Sequence, residues 1–394
     1  MQSKTIRKWF WIHKWSSLVS MIFLLLLCLT GLPLIFHHEI DHALGNTVEA
    51  PEDVDAEGRV SVDSVVQDAI ERSSNEEMQF LVAEPDEPNL WYVRLGESVN
   101  GEISSFYTYD ARTGELLNDY PLGQGIMNTI LRLHVDMFAG LPGTLFLGGM
   151  GLLLVVSIIS GVVLYAPFMR KLTFGIVRRN RSARLKWLDM HNVTGIVTLT
   201  WLFVVGVTGV INTLSIPIFE RWQSTELAKM TEPYSDRPEL NETDLASIDT
   251  ILNTARRAEP DKQLSFMAYP GNSFATPHHF VAFMQGKTAW TSKLLKPVLI
   301  DGRSGELVES AEFPWYVKVL LLSQPLHFGD YGGMPLKILW AILTLLSIFV
   351  LISGLYLWLK SRNQTFEEWL SKQYKKDKRE KRSETFVTQN HLSQ

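Results

Sequence analysis

Cysteine is nearly absent from this chain of 394 residues, with Cys28 as the single copy. A disulfide framework and a thiolate-bound metal are therefore excluded, and Cys28 itself falls inside an apolar run. No Gly-x-Gly-x-x-Gly opens a helix and no Walker loop occurs, so nothing here takes a hydride from a nicotinamide. Ser-His-Asp and His-Glu-x-x-His arrangements are missing as well.

Charge is nearly missing from four long stretches, Ser16 to Phe36, Leu141 to Phe168, Val193 to Ile218 and Pro335 to Leu359, with Lys337 as the one charged side chain in them. At about 1.5 Å per helical residue, each is long enough to cross about 30 Å of hydrocarbon. The averages, 46% apolar and a net charge of −5, conceal this bunching. The first stretch follows Lys4, Arg7, Lys8 and Lys14 as a signal peptide would, but its apolar part is too long and no small-x-small site precedes His37. It is expected to stay as a membrane span.

Acidic residues are missing from the first fifteen positions and from the connector Met169 to Leu188, which holds seven basic ones, whereas Glu39 to Leu131 has twenty acids against four bases. The positive-inside rule then places both termini and the connector in the cytoplasm, and both long loops outside. The expected layout is a cytoplasmic N-terminus and first helix (1–36), an extracytoplasmic module (37–140), a second helix (141–168) and a basic connector (169–192). A third helix (193–218), a second module (219–334), a fourth helix (335–359) and a charged tail (360–394) follow.

What is present repeats. Asp110-Ala-Arg-Thr-Gly-Glu-Leu matches Asp301-Gly-Arg-Ser-Gly-Glu-Leu. Leu133-His134 and Ser160-Gly161 match Leu326-His327 and Ser353-Gly354 at one offset, 193, while His13 and Thr30-Gly31 match His191 and Thr208-Gly209 at another, 178. Both halves start on the same side, so the repeats are parallel and related by an axis along the membrane normal. The fold class is an α-helical membrane protein: a four-helix transmembrane bundle from two parallel repeats, with two small α+β extracytoplasmic modules.

Within the modules, Ser61 to Ser73 and Glu242 to Ala258 read as amphipathic helices. Met78 to Val82, Leu90 to Leu95, Ser105 to Tyr109, Leu264 to Tyr269, His279 to Met284 and Pro297 to Ile300 read as strands. The Asp-x-Arg-Thr/Ser-Gly-Glu stretches predict hairpin turns with glycine at positive φ. Gln373 to Gln394, charged and without apolar period, is expected to be disordered.

Of ten histidines, four obey the repeat: His13 with His191 at one membrane face, His134 with His327 at the other. Two imidazoles facing each other, with no repeated carboxylate or thiolate, suit the axial positions of a haem iron better than a four-ligand zinc site. His37 and His38 have no counterpart and are candidates to replace or supplement a ligand of the outer pair. His42, His278, His279 and His391 read as loop residues, His278 and His279 with a possible substrate contact. Arg132 is a candidate partner for a haem propionate. Glycines such as Gly161, Gly195, Gly206, Gly209 and Gly354 allow close approach of helices or of a flat macrocycle. Trp201, Phe203, Trp340 and Phe349 fall inside spans, where packing is the default role, and Trp9, Trp11, Trp15 and Trp358 fit an interfacial belt. The outer pair, next to glycine- and proline-rich turns, is expected near the aqueous surface.

Ile12-His13-Lys14-Trp15, Met190-His191, the two Asp-x-Arg-Thr/Ser-Gly-Glu-Leu stretches and Leu-His before the second and fourth spans together resemble the PepSY-associated transmembrane (PepSY_TM) family. That family comprises bacterial inner-membrane proteins and includes ferric-siderophore reductases. The resemblance, over residues 5 to 362, implies two haem b groups held by His13, His191, His134 and His327. It also implies electron flow from a cytoplasmic reductase or quinol to ferric iron in a periplasmic siderophore. The expected activity is thus that of a ferrisiderophore reductase. A different class stays open beside it, a haem-free membrane sensor whose modules bind an envelope peptide or protease.

Overall fold

A computed structural model describes residues 3–361 except 53, 55–57, 74, 119–124, 170–173, 179–181, 235, 239, 241 and 289–290. The charged tail with its expected disorder, His391, and Arg170, Lys171, Arg179 and Arg181 of the connector lie outside the described residues.

In the first half, α1 (Ser3–Leu34) and the short α2 (His37–Ala43) precede α3 (Val62–Arg72). Four strands follow, β1 (Glu77–Val82), β2 (Leu90–Gly96), β3 (Ile103–Asp110) and β4 (Leu116–Asn118), then α4 (Ile126–Val135) and α5 (Gly140–Met169). The second half runs α6 (Ala183–Asn212), α7 (Ser215–Trp222), α8 (Ala228–Thr231), α9 (Ile248–Ala258), β5 (Lys262–Ala268), β6 (His279–Gly286), β7 (Leu295–Asp301) and β8 (Leu307–Ser310). It ends with α10 (Trp315–Phe328) and α11 (Gly333–Ser361).

The helices α1, α5, α6 and α11 are long and apolar enough to cross a membrane, and the chain is a membrane protein. They close a ring in which α1 packs on α5, α5 on α6, α6 on α11 and α11 on α1. The third span differs from expectation. It starts at Ala183, and the residues after Asn212 turn off into a separate helix, α7. Ile218, the last residue of the expected run, packs with Phe219 and Trp222 on a protein core and not on lipid. Composition alone does not separate those two solvents.

The strands of the two modules join in one eight-stranded antiparallel sheet, in the order β4-β3-β2-β1-β5-β6-β7-β8. The halves meet at β1 and β5, where Phe80, Leu81 and Val82 pair with Ala268, Met267 and Phe266. Each module would otherwise end in an open edge strand, and the junction removes both edges. The six expected strands are present; β4 and β8 are too short to have shown an alternation. The expected helix from Glu242 begins as an α-helix only at Ile248, after a 3-10 turn over Glu242–Asp244. Both hairpin glycines adopt the left-handed conformation, Gly114 at φ +74° and Gly305 at φ +70°. Asp110 folds back on Arg112, while its counterpart Asp301 pairs with Arg237.

On one face of the sheet α3 and α9 lie side by side over a shared core that includes Leu81, Trp91, Ile251 and Ile300. Their N-termini are capped reciprocally. Asp249 accepts from Ser61 Oγ at 2.6 Å and from the Val62 amide at 3.2 Å, and Asp63 accepts from Ser247 Oγ and the Ile248 amide, each at 2.6 Å. Each helix thus borrows a carboxylate from the other to satisfy its free amides and complement its dipole. On the opposite face, in the second half, Trp222, Phe313, Val317 and Leu321 cover Val281, Phe283 and Leu299, which ties the sheet to α7 and α10.

Asp63→Ala or Asp249→Ala is expected to cost about 1–2 kcal/mol, read as a lower denaturation midpoint of the sheet domain by circular dichroism. Midpoints unchanged in both variants would show that the exchanged caps do not hold the halves together.

Candidate functional site

A histidine in an apolar bundle must place two ring nitrogens, and in four cases here the same device places one of them. Each ring lies against a glycine of a neighbouring helix: His13 on Gly161, His134 on Gly31, His191 on Gly354, His327 on Gly209. A Cβ at these glycines would stand only 3.2, 3.1, 3.5 and 3.0 Å, respectively, from the ring's Cε1. The missing side chain is what lets the imidazole reach the backbone.

Once there, Nδ1 meets the carbonyl four residues before the glycine. His13 Nδ1 donates to Ser157 O at 2.9 Å, His191 to Val350 O at 3.2 Å and His327 to Val205 O at 3.0 Å, while Leu27 O is the corresponding acceptor for His134. The residue just before each glycine is Ser or Thr, and its hydroxyl is a second acceptor: Thr30 for His134 at 2.9 Å, Ser353 for His191 at 2.8 Å, Ser160 for His13 at 3.3 Å and Thr208 for His327 at 3.4 Å. Those hydroxyls spend their own protons on carbonyls of their helices, as Thr30 does on Leu26 and Ser353 on Val350. A carbonyl can only accept, so Nδ1 carries the proton and Nε2 keeps the lone pair of a neutral imidazole. This is the state in which histidine binds a metal through Nε2, with its other nitrogen held by an acceptor.

The four rings fall into two pairs. His134 and His327 have ring centres 6.4 Å apart. Opposed imidazoles that share one metal, at metal–nitrogen distances of about 2.0–2.1 Å, have centres about 6 Å apart. His13 is the ionisable neighbour of His191 in the other pair. Gly31 follows His13 by 18 positions and Gly209 follows His191 by the same 18, so the pairs are separated along the bundle by about 27 Å at helical rise. All four rings and all four glycines line one cavity of about 2320 Å³. That exceeds the roughly 300–1,000 Å³ of a pocket for a single small ligand. No cluster of three or more His, Cys, Asp or Glu side chains suited to a metal exists among the described residues.

The repeat therefore picked out the residues that the fold brings together, but the part played by Thr30, Gly31, Ser160, Thr208 and Ser353 was missed. Their signal was in the sequence, as a hydroxyl residue followed by glycine at repeated places in apolar spans. Helix packing explains other glycines, with Gly148 against Thr213 and Gly206 against Leu154.

His37 lines the cavity at its sheet-side mouth with Asp41 and Asp330, donates Nδ1–H to Leu34 O at 3.0 Å and stacks on His38 at 4.1 Å. Burial, with His38 beside it, holds its pKa below the usual histidine value. Lys337 on α11 anchors α2 through Glu39 at 2.7 Å. Arg132 is exposed and sits over the Phe138 ring, away from the residues that line the cavity. Trp201 and Trp340 meet edge to face at 6.3 Å between the two histidine levels, and Trp340 Nε1 donates to His327 O. Phe203 is exposed and Phe349 stacks on Trp187. At the mouth far from the sheet, Asp189 takes both Arg178 guanidinium nitrogens and its amide, at 2.6–3.0 Å.

The sequence profile described as the PepSY-associated TM region matches residues 10–361. Among curated proteins, the chain is 25% identical over 260 residues to Uncharacterized protein PA4219 of Pseudomonas aeruginosa. That match covers 60% of this chain and 64% of the relative's length, so less than two thirds of the relative is spanned.

His278 and His279, read as possible substrate contacts, are buried, with Tyr234 edge-on to the His279 ring and His279 Nδ1 2.7 Å from Thr276 Oγ1. Burial pushes His279 from 6.5 down to about 4, against the pull of Asp301. The folded state then binds fewer protons than the unfolded chain, so stability is full above about pH 6.5 and falls as the pH drops toward 4. The loss is expected to approach about 3 kcal/mol, measured as the urea midpoint of the sheet domain against pH. His279→Gln should flatten that dependence; a slope unchanged in the variant would assign it elsewhere.

Proposed function

This chain belongs to the family of the PepSY-associated TM region, and from that premise we propose that it is a two-haem b electron-transfer protein that reduces ferric iron held by a siderophore. In this reading it is a multi-pass protein of the bacterial inner membrane, with both termini cytoplasmic and the eight-stranded sheet periplasmic. Electrons come from a quinol or a cytoplasmic reductase, and the iron is released for uptake.

One observation carries the reading. Four imidazoles, each fixed through Nδ1 so that the lone pair is left on Nε2, line a single cavity in two pairs. His13 and His191 would hold one haem, His134 and His327 the other. Bound haem supplies reversible one-electron chemistry at its iron, with a potential set by ligands, hydrogen bonds and burial. The chain supplies the rest. Nδ1–H bonds to Ser157, Val205 and Val350 fix each ring's tautomer and raise its basicity. The glycines leave room for the rings, and the apolar walls of α1, α5, α6 and α11 keep water out. Asp189 and Arg178 brace the cytoplasmic mouth, where Lys14 and Arg184 also line the cavity and offer positive charge to carboxylates.

Purified protein is expected to show two haem b per chain by the pyridine haemochrome assay. His13→Ala or His191→Ala should remove one, and His134→Ala or His327→Ala the other. Thr30→Val and Ser353→Ala should keep both ligands but weaken haem binding about 10–100-fold. Dithionite-reduced protein should then yield ferrous iron from a ferric siderophore, trapped by a chromogenic chelator. Absence of haem after expression with ample haem supply would sink the proposal and leave the sheet domain as a binding module for an envelope partner. Loss of a haem on His37→Ala would instead correct the pairing.

Separately from haem content, Gly209→Val adds a side chain where a Cβ alone would come within 3.0 Å of the His327 ring. It should abolish the haem of that pair and leave the other intact. Two full haems in this variant would mean that the glycine seats are incidental.

A further inference from the structure

The helices that carry His134 and His327 leave apolar side chains uncovered by protein. On α10, Val317, Leu320 and Leu321 are buried, while Trp315, Val319, Leu322 and Leu326 are exposed at helical spacing, Trp315 by 76%. On α4, Met127 is buried and Leu131 and Val135 line the cavity beside His134, while Ile126 is exposed by 62%. A helix divided as α10 is, with one stripe on a core and a second apolar stripe bare, is not built for water.

We propose that α4 and α10 lie within the sheet-side leaflet of the membrane, with phospholipid acyl chains as the partner that covers the α10 stripe and Ile126. Three observations favour lipid over a protein. First, exposed apolar residues carry on past both helices into the spans, at Phe138, Leu141 and Leu145 toward α5 and at Met334 and Ile338 of α11. Second, α4 packs on α1 and α5, and α10 on α6, so the exposed side chains belong to two flanks that a surrounding bilayer covers together. Third, the ends are those of an interfacial helix. Trp315 stands at the start of α10, and Arg132 on α4 is exposed, with its guanidinium over the Phe138 ring and without a carboxylate partner among the described residues. An arginine beside apolar side chains reaches up to the headgroup level.

The placement has a consequence for the site. His134 and His327 point inward from these helices, so the sheet-side pair lies beneath the headgroups and not near the aqueous surface, as its neighbouring turns had suggested. Access to that pair then runs through the mouth at His37, Asp41 and Asp330. None of this depends on the haem reading.

The test uses full-length protein in nanodiscs of phosphatidylcholine and phosphatidylglycerol, with Cys28→Ala as background. Nitroxide labels go on Ile126→Cys, Val319→Cys and Leu322→Cys, with Gln67→Cys on the exposed side of α3 as control. By power-saturation electron paramagnetic resonance, oxygen should reach the labels at 126, 319 and 322 several-fold more than a water-soluble nickel chelate does, with the order reversed at position 67. Nickel access prevailing at positions 126 and 319 would overturn the proposal. So would spin–spin broadening or strong immobilisation at those sites, which would mean a second copy or a protein partner on the stripes. Because the labels sit on exposed positions and need no cofactor, failure here is separate from failure of the haem assay.

Discussion

A hydrogen bond from an imidazole Nδ1 to a helix carbonyl that a glycine leaves uncovered is the contact on which this bundle is organised. It is made four times, and each instance joins two different helices: α1 to α5, α4 to α1, α6 to α11 and α10 to α6. The bond needs a ring at one depth and a glycine at the same depth on the neighbour. Satisfying all four fixes the relative height of the spans and the position of the two short helices. Polar groups in a hydrocarbon setting are costly unless paired, and the pairing that removes the cost on Nδ1 is what orients Nε2.

The sheet enforces the same symmetry from outside the bundle. β1 and β5 join the halves, and the exchanged caps of Asp63 and Asp249 hold α3 and α9 in register above the junction. On the other face, the core under α7 and α10 links the sheet to the helix that bears His327. The symmetry is broken where α2 places His37 and His38 at the cavity mouth, for the second half has Ser215 and Ile216 there.

The sequence was informative wherever a local pattern had one physical cause. Charge-free runs can only be so long before they mean a span, and a histidine that recurs at matching places in two halves is hard to attribute to packing. It was less informative where one pattern serves two causes. Ile218 looks the same in lipid as in a sheet core, so the third span was drawn too long. Ser-Gly and Thr-Gly in a span read as close helix packing, and only the neighbouring ring at 3.0–3.5 Å from the absent Cβ distinguishes a seat. Fusion of the modules was invisible, because pairing of β1 with β5 joins residues almost two hundred positions apart and leaves no trace in either strand's alternation. Arg132 lies two positions before His134, but side chains at that spacing on a helix do not face the same way, and it turns outward.

The β1–β5 junction also says something about descent. A half-length chain with two spans and one module would present β1 as an open antiparallel edge, and an identical edge on a second copy is its natural complement. Two such copies would rebuild the eight-stranded sheet and both histidine pairs as a homodimer, since each pair draws one ring from each half. Joining the copies in one polypeptide makes assembly independent of concentration. It also lets the halves drift apart in sequence, which a homodimer forbids, and an extra pair of imidazoles on one side alone is the kind of asymmetry that only the fused form can keep.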